Sequence, residues 1–133
     1  MCGVGNKGGN IEERIDRMKY FNIDEFKCKG KNCCGGIQHM DSLFLAQIDN
    51  ARDYAEVPFV INSGHRCEKH NKEVGSTSKN HTSGKACDIE CLTGPHRLKI
   101  VMGLIRAGFR RIGINKSFIH ADTMDEIESM WMY

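Results

Sequence analysis

The 133-residue chain has only two prolines and no long apolar run. No window approaches the ~18 apolar residues that span a bilayer, so no membrane insertion is expected. Strong charge of one sign is missing as well: 19 basic residues face 17 acidic ones, a net charge of +2. A nucleic-acid binder shows a clustered basic face. Here the densest basic stretches, Lys27–Lys31 and Arg106–Arg111, are short and interleaved with other residue types, and they read as solvated faces. No nucleic-acid partner is expected. Met1–Asn10 is Gly-rich and polar, so it lacks the basic-then-apolar order of a signal peptide. The chain is therefore expected to be cytoplasmic as synthesised, and any substrate outside the membrane would be met after release or delivery.

What is present is ordinary for a globular protein, 40% hydrophobic and 27% charged, and the length suits one core without covalent staples. The expected organisation is a flexible lead-in over 1–10 and a single domain over 11–133, acting as a monomer. The seven cysteines are Cys2, Cys28, Cys33, Cys34, Cys67, Cys87 and Cys91. An odd count without an export signal argues against a full disulfide framework. Cys28 with Cys33 and Cys34 could form half of a structural zinc site or a local disulfide, or stay free thiols, and the sequence leaves their pairing open.

Apolar periodicity predicts a short helix over Ile11–Tyr20 and a longer one over Met40–Ala55, capped by Asp41 or Ser42. Pro58–Ile61 reads as a buried strand. Cys67–Val74 reads as a short helix ended by Gly75, and Ser76–Gly84 as a polar loop. Lys85–Leu92 alternates as a strand. A helix follows over Pro95–Ala107, with Gly108 after its end. Phe109–Ile114 and Ser117–Ala121 form a hairpin joined at Asn115-Lys116. The tail from Met124 reads as helical or irregular, with Trp131 as a core plug. Helices mixed with a small, mostly antiparallel sheet make an α+β domain.

The chemistry concentrates in two segments. In Asn80-His-Thr-Ser-Gly-Lys-Ala-Cys-Asp88, His81 lies in the polar loop and Asp88 on the strand after it. Strand alternation puts Ala86, Asp88 and Glu90 on one face and Cys87 and Ile89 on the other. A carboxylate in mid-strand needs a partner, and a metal would serve. In Phe118-Ile-His-Ala-Asp122, His120 and Asp122 share a face with Phe118, their Cα atoms about 6.6–7 Å apart. Two histidines, one carboxylate and an open fourth position form the ligand set of a catalytic zinc. His39, His70 and His96 read as ordinary surface residues. Ser63 and Ser83 lack a Gly-x-Ser-x-Gly elbow, which argues against a serine hydrolase. A zinc-ribbon nucleic-acid module would need paired Cys knuckles, and only Cys87 and Cys91 stand opposite the early cysteines.

Three segments together, Val60-Ile-Asn-Ser-Gly-His-Arg-Cys-Glu-Lys-His-Asn71, Asn80–Asp88 and Phe118–Asp122, resemble the zinc D-Ala-D-Ala carboxypeptidase family. That family includes L-alanyl-D-glutamate endopeptidases and phage endolysins. The motifs stand in the family's order over roughly residues 20 to 133. The resemblance implies a hedgehog/DD-peptidase-like α+β fold and a Zn2+ ion held by His81, Asp88 and His120. It implies hydrolysis of a peptide bond in peptidoglycan stem peptides by zinc-activated water. Arg66 matches an arginine that holds a substrate carbonyl or carboxylate. Asp122 matches an acidic residue, expected as general base or as a group orienting His120. Two departures stand out. Ser117 occupies the position of the acidic base in one branch, and His65 stands where an aromatic, commonly Tyr, is usual. Glu68 and Glu90 are other acids that could serve. The alternatives are an L-alanyl-D-glutamate endopeptidase of endolysin type and a non-catalytic zinc module that binds cell-wall peptide. A wall substrate without an export signal fits a phage lysis or tail protein.

Overall fold

A computed structural model describes residues 18–133. The expected lead-in and most of the helix over Ile11–Tyr20 lie outside these residues. Met18–Tyr20 are not helical: the Lys19 and Tyr20 amides donate to the Asp49 carboxylate at 2.9 Å each. A 3-10 turn over Ile23–Phe26 follows, held by a capping box in which Asn22 and Glu25 satisfy each other's backbone N–H groups.

The first helix, α1, spans Ser42–Ala55. Its N-cap is Asp41, whose carboxylate accepts from the Phe44 N–H at 2.9 Å. Phe44, Leu45, Ile48, Ala51 and Ala55 recur at helical spacing and are buried. Each large one contributes about 1.5–3 kcal/mol by leaving water. The long second helix of the core, α3, spans Gly94–Arg106, capped by Thr93 with Pro95 in its first turn. It crosses α1 closely because Gly103 has no side chain: a Cβ there would lie 2.5 Å from the Ala51 carbonyl oxygen and 2.6 Å from the Ala55 Cβ. Between them, α2 covers Glu68–Glu73, with Cys67 as its N-cap and Gly75 at φ 80 after its end.

Five strands form one sheet in the order β1-β2-β4-β3-β5. They are β1 Ile61–Ser63, β2 Ala86–Glu90, β3 Arg111–Ile114, β4 Phe118–Asp122 and β5 Ser129–Met132. All neighbours are antiparallel except β3 and β5, which are parallel. The helices and sheet are the expected α+β arrangement. One sheet face carries Cys87, Ile89, Ile112, Ile119 and Ala121 into a single core with α1, α3, Phe26, Phe59 and Phe109. The opposite face carries the polar residues. Among the described residues no helix is long and apolar enough to cross a membrane.

Three local readings differ from the sequence expectation. The first strand starts at Ile61 rather than Pro58, because Val60 is exposed and Pro58 has no N–H to pair. The β3–β4 turn closes one residue later than Asn115-Lys116: the Asn115 N–H donates to the Phe118 carbonyl at 3.0 Å, and the Asn115 side chain accepts from the Ser117 N–H and hydroxyl. The tail is irregular as far as Glu128, but its end is a strand, since β5 pairs along β3.

Candidate metal centre and cleft

The register of β2 against β4 puts Asp88 directly opposite His120. Both project from the polar face, so their side chains meet: His120 Nδ1 lies 2.9 Å from Asp88 Oδ1. His81 arrives from the turn after Ser78 and brings its Nε2 to 3.4 Å from the same oxygen. That turn depends on Gly84 at φ 76, where a Cβ would fall 2.0 Å from the His39 carbonyl oxygen. One ligand atom from each of His81, Asp88 and His120 lies within 4.8 Å of the others, and all three residues are buried. The three donors singled out from the sequence therefore converge.

The outer nitrogens of both imidazoles are already committed. His81 Nδ1 is 2.8 Å from the Gly64 carbonyl oxygen, an acceptor only, so that nitrogen carries the proton. His120 Nε2 is 2.7 Å from Asp122 Oδ2. Asp122 is kept anionic by Arg111, whose Nε donates to Oδ1 at 2.7 Å, and by the Met124 N–H at 3.0 Å. The two nitrogens that face Asp88 are thus left as lone pairs. Two lone pairs and a carboxylate pointing at one spot repel each other unless a cation lies between them, and this donor set suits zinc.

Charges follow from these contacts. Burial disfavours the Asp88 carboxylate; where a proton takes the cation's place between the groups, hydrogen bonds from His120 and His81 outweigh that cost and hold its pKa well below the carboxylate range. Burial likewise opposes ionisation of Asp122, and His120, Arg111 and the Met124 amide more than offset it, lowering its pKa. For His120, burial opposes the charged ring, while Asp122 and Asp88 outweigh that and raise its pKa.

A cleft of about 460 Å3 opens over this centre, lined by Arg66, Asn80, Phe118, Trp131 and Tyr133 among others. Arg66 is pinned at three points: Nε donates to Ser63 Oγ at 3.2 Å, Nη1 to Asn71 Oδ1 at 3.2 Å, and Nη2 stands 3.6 Å from Asp88 Oδ2. Asn71 is itself tied to the Ser78 carbonyl at 2.9 Å. Trp131 is half-buried and lies against His120, ring centroids 5.5 Å apart, so it lines the cleft rather than plugging the core. Room for the indole comes from Gly113, where a Cβ would meet Trp131 Nε1 at 2.7 Å.

The other acids stand elsewhere. Ser117 is exposed on the hairpin turn, and neither it nor Glu68 nor Glu90 lines the cleft. The Asp122 side chain is fully buried, and its oxygens accept from His120, Arg111, Asn80 and Met124. His65 is buried edge-on against His39, with Nδ1 unpartnered, and burial, His39 and His81 lower its pKa. His39 is exposed, and His70 and His96 are half-buried away from the centre. Asn80, Arg111 and Asn71 were given no role from the sequence, and Ser63 was considered there only as a serine nucleophile. Arg111 had a usable signal, since the hairpin register pairs it with Asp122.

A family model described as Peptidase M15 matches residues 19–122. No curated protein matches the chain.

Proposed function

Because this chain belongs to the Peptidase M15 family, a zinc D-Ala-D-Ala carboxypeptidase-type family, we propose that its 11–133 domain hydrolyses a peptide bond in peptidoglycan stem peptides, with His81, Asp88 and His120 as the zinc ligands. The observation that carries this reading is the convergence of three buried donors at the base of an open cleft. When bound there, zinc supplies Lewis acidity toward a carbonyl oxygen and makes water acidic enough to be a nucleophile at neutral pH.

The chain's own groups do the rest. Gly64 and Asp122 fix the tautomers of His81 and His120, which keeps the inward nitrogens free. Asp122 acts by orienting His120 rather than as the general base, because its oxygens are fully engaged and out of reach of the cleft. Arg66 presents a fixed guanidinium over the Asp88 side of the centre and stabilises negative charge on the substrate carbonyl or carboxylate. Trp131, Tyr133 and Phe118 form an aromatic wall along the cleft that takes the small apolar side chains of a stem peptide.

The bond we assign is the terminal D-Ala-D-Ala bond. Digestion of purified muropeptides, followed by mass spectrometry, tests this: loss of one D-alanine is expected, and a cut between L-alanine and D-glutamate would mean an endolysin-type endopeptidase instead. A non-catalytic wall-binding module is the second reading, favoured by one observation: among the described residues that line the cleft, Asp88 is the only acidic side chain. Cleavage that a chelator abolishes and zinc restores excludes it, and unaltered muropeptides would establish it. Delivery to the wall as part of a phage lysis or tail protein suits a wall substrate.

A further inference from the structure

The mechanism above uses none of the seven cysteines, and four of them fall together. Cys28, Cys33 and Cys34 lie on the loop after the 3-10 turn, and Cys67 lies between Arg66 and α2, far along the chain. The fold brings all four sulfurs within 4.8 Å of one another. We propose that Cys28, Cys33, Cys34 and Cys67 hold a second, structural zinc ion that ties this loop to the segment carrying Arg66.

The distances carry the proposal. Sulfurs about 2.3 Å from a tetrahedral zinc stand roughly 3.8 Å apart. Cys28 and Cys33 are separated by 3.9 Å, and Cys33 and Cys34 by 3.8 Å. A disulfide would need its sulfurs at about 2.05 Å. Four thiolates also close the coordination sphere, the mark of a structural site rather than a catalytic one.

The backbone is arranged for sulfur anions. The Cys67 N–H donates to Cys28 Sγ at 3.5 Å, and the His70 N–H donates to Cys67 Sγ at 3.4 Å. Backbone N–H groups of Ile37 and Gly36 turn toward Cys34, and that of Gly30 toward Cys28. Three residues in the left-handed region, Asn32 at φ 56, Gly35 at 75 and Gly36 at 84, fold the loop back on itself. Gly30 lets the loop approach α2, because a Cβ there would lie 2.7 Å from Cys33 Sγ and 2.6 Å from His70 Cγ.

Charge completes the case. Zinc with four thiolates carries a net charge of −2, and binding releases the thiol protons to solvent. Lys27, Lys29 and Lys31 stand on the same loop, and Lys69 reaches it from α2 through the Asn32 carbonyl at 2.7 Å. The basic stretch that reads as a plain solvated face therefore offsets the cluster. Lys29 also donates to the Ile61 carbonyl, fastening the loop to β1.

The test uses the full chain, purified under reducing conditions without chelator. Metal analysis should find two zinc ions per chain, one remaining in His81→Ala and one remaining in Cys67→Ser. In His81→Ala the zinc X-ray absorption edge should show a shell of four sulfurs at ~2.3 Å, and cobalt in its place should give thiolate charge-transfer bands. A His81→Ala protein without zinc, or a native chain lighter by the mass of two or four hydrogens, would overturn the proposal. Should Cys67→Ser not fold, the wild-type absorption edge and cobalt bands decide: no sulfur shell means no site. Failure of the peptidase reading is distinct, since it would leave one zinc bound by sulfur alone.

Discussion

The two donor clusters differ in how they are built. The His81–Asp88–His120 centre stands on paired strands, and an open cleft lies over it. The four cysteines stand on irregular backbone, gathered from a loop and a helix cap, and their donors close on one another. A centre on strands holds its donors in geometry that the sheet alone enforces, so it can leave a corner free for chemistry. A centre on loops has no such frame, and in the proposed sulfur site the ion itself would become the frame. Open and rigid goes with turnover, and closed and flexible goes with stability.

The sharpest way to break that contrast is a pair of substitutions. His81→Ala should abolish muropeptide cleavage while the melting temperature hardly changes. Cys67→Ser should do the reverse in order of severity, costing more than ~4 kcal/mol of stability, as loss of a metal does. Calorimetry alongside cleavage assays reads both, and equal stability losses would erase the distinction. Arg66→Ala follows, with kcat falling on the order of 10^2–10^3 as a fixed oxyanion partner is lost. Because Arg66 adjoins Cys67, metal analysis should show both ions retained. Asp122→Asn should weaken zinc affinity or activity by about 10- to 100-fold, the usual effect of removing a group that orients a metal-binding imidazole. Competition with a zinc indicator measures it, and an unchanged affinity would return Asp122 to candidacy as the base. Smallest of all is Ser117→Ala: the exposed turn hydroxyl faces Asn115, and kcat/KM should stay within error.

Much of the peptidase-like centre was legible because its signals are local. Period-two alternation puts Asp88 on the side of its strand away from Cys87 and Ile89 and keeps His120 and Asp122 together on theirs, and Asp41 and Pro95 mark helix starts through their own backbone preferences. What escaped is what depends on a distant partner. Ser129–Met132 has no propensity that marks a strand, and its extended form comes from lying parallel to β3. Trp131 follows from that pairing, since its position beside His120 is set by the strand it sits on and by the space over Gly113. Cys67 escaped for the same reason. Nothing in its neighbourhood points to Cys34, and only the fold closes the interval between them. Arg111 lay within reach, but a turn read one residue early hides its place opposite Asp122.

The pairing of Asp88 with His120 across β2 and β4 has a consequence for how the protein matures. A slip of one residue between these strands would send one of the two donors into the core, and a slip of two would strand them on different rungs. If the centre takes up zinc as proposed, ion capture would act as a proofreading step, because only a correctly zipped sheet brings the donors together. Nascent or misregistered chains would stay inert, and hydrolytic power would switch on with the last stage of folding.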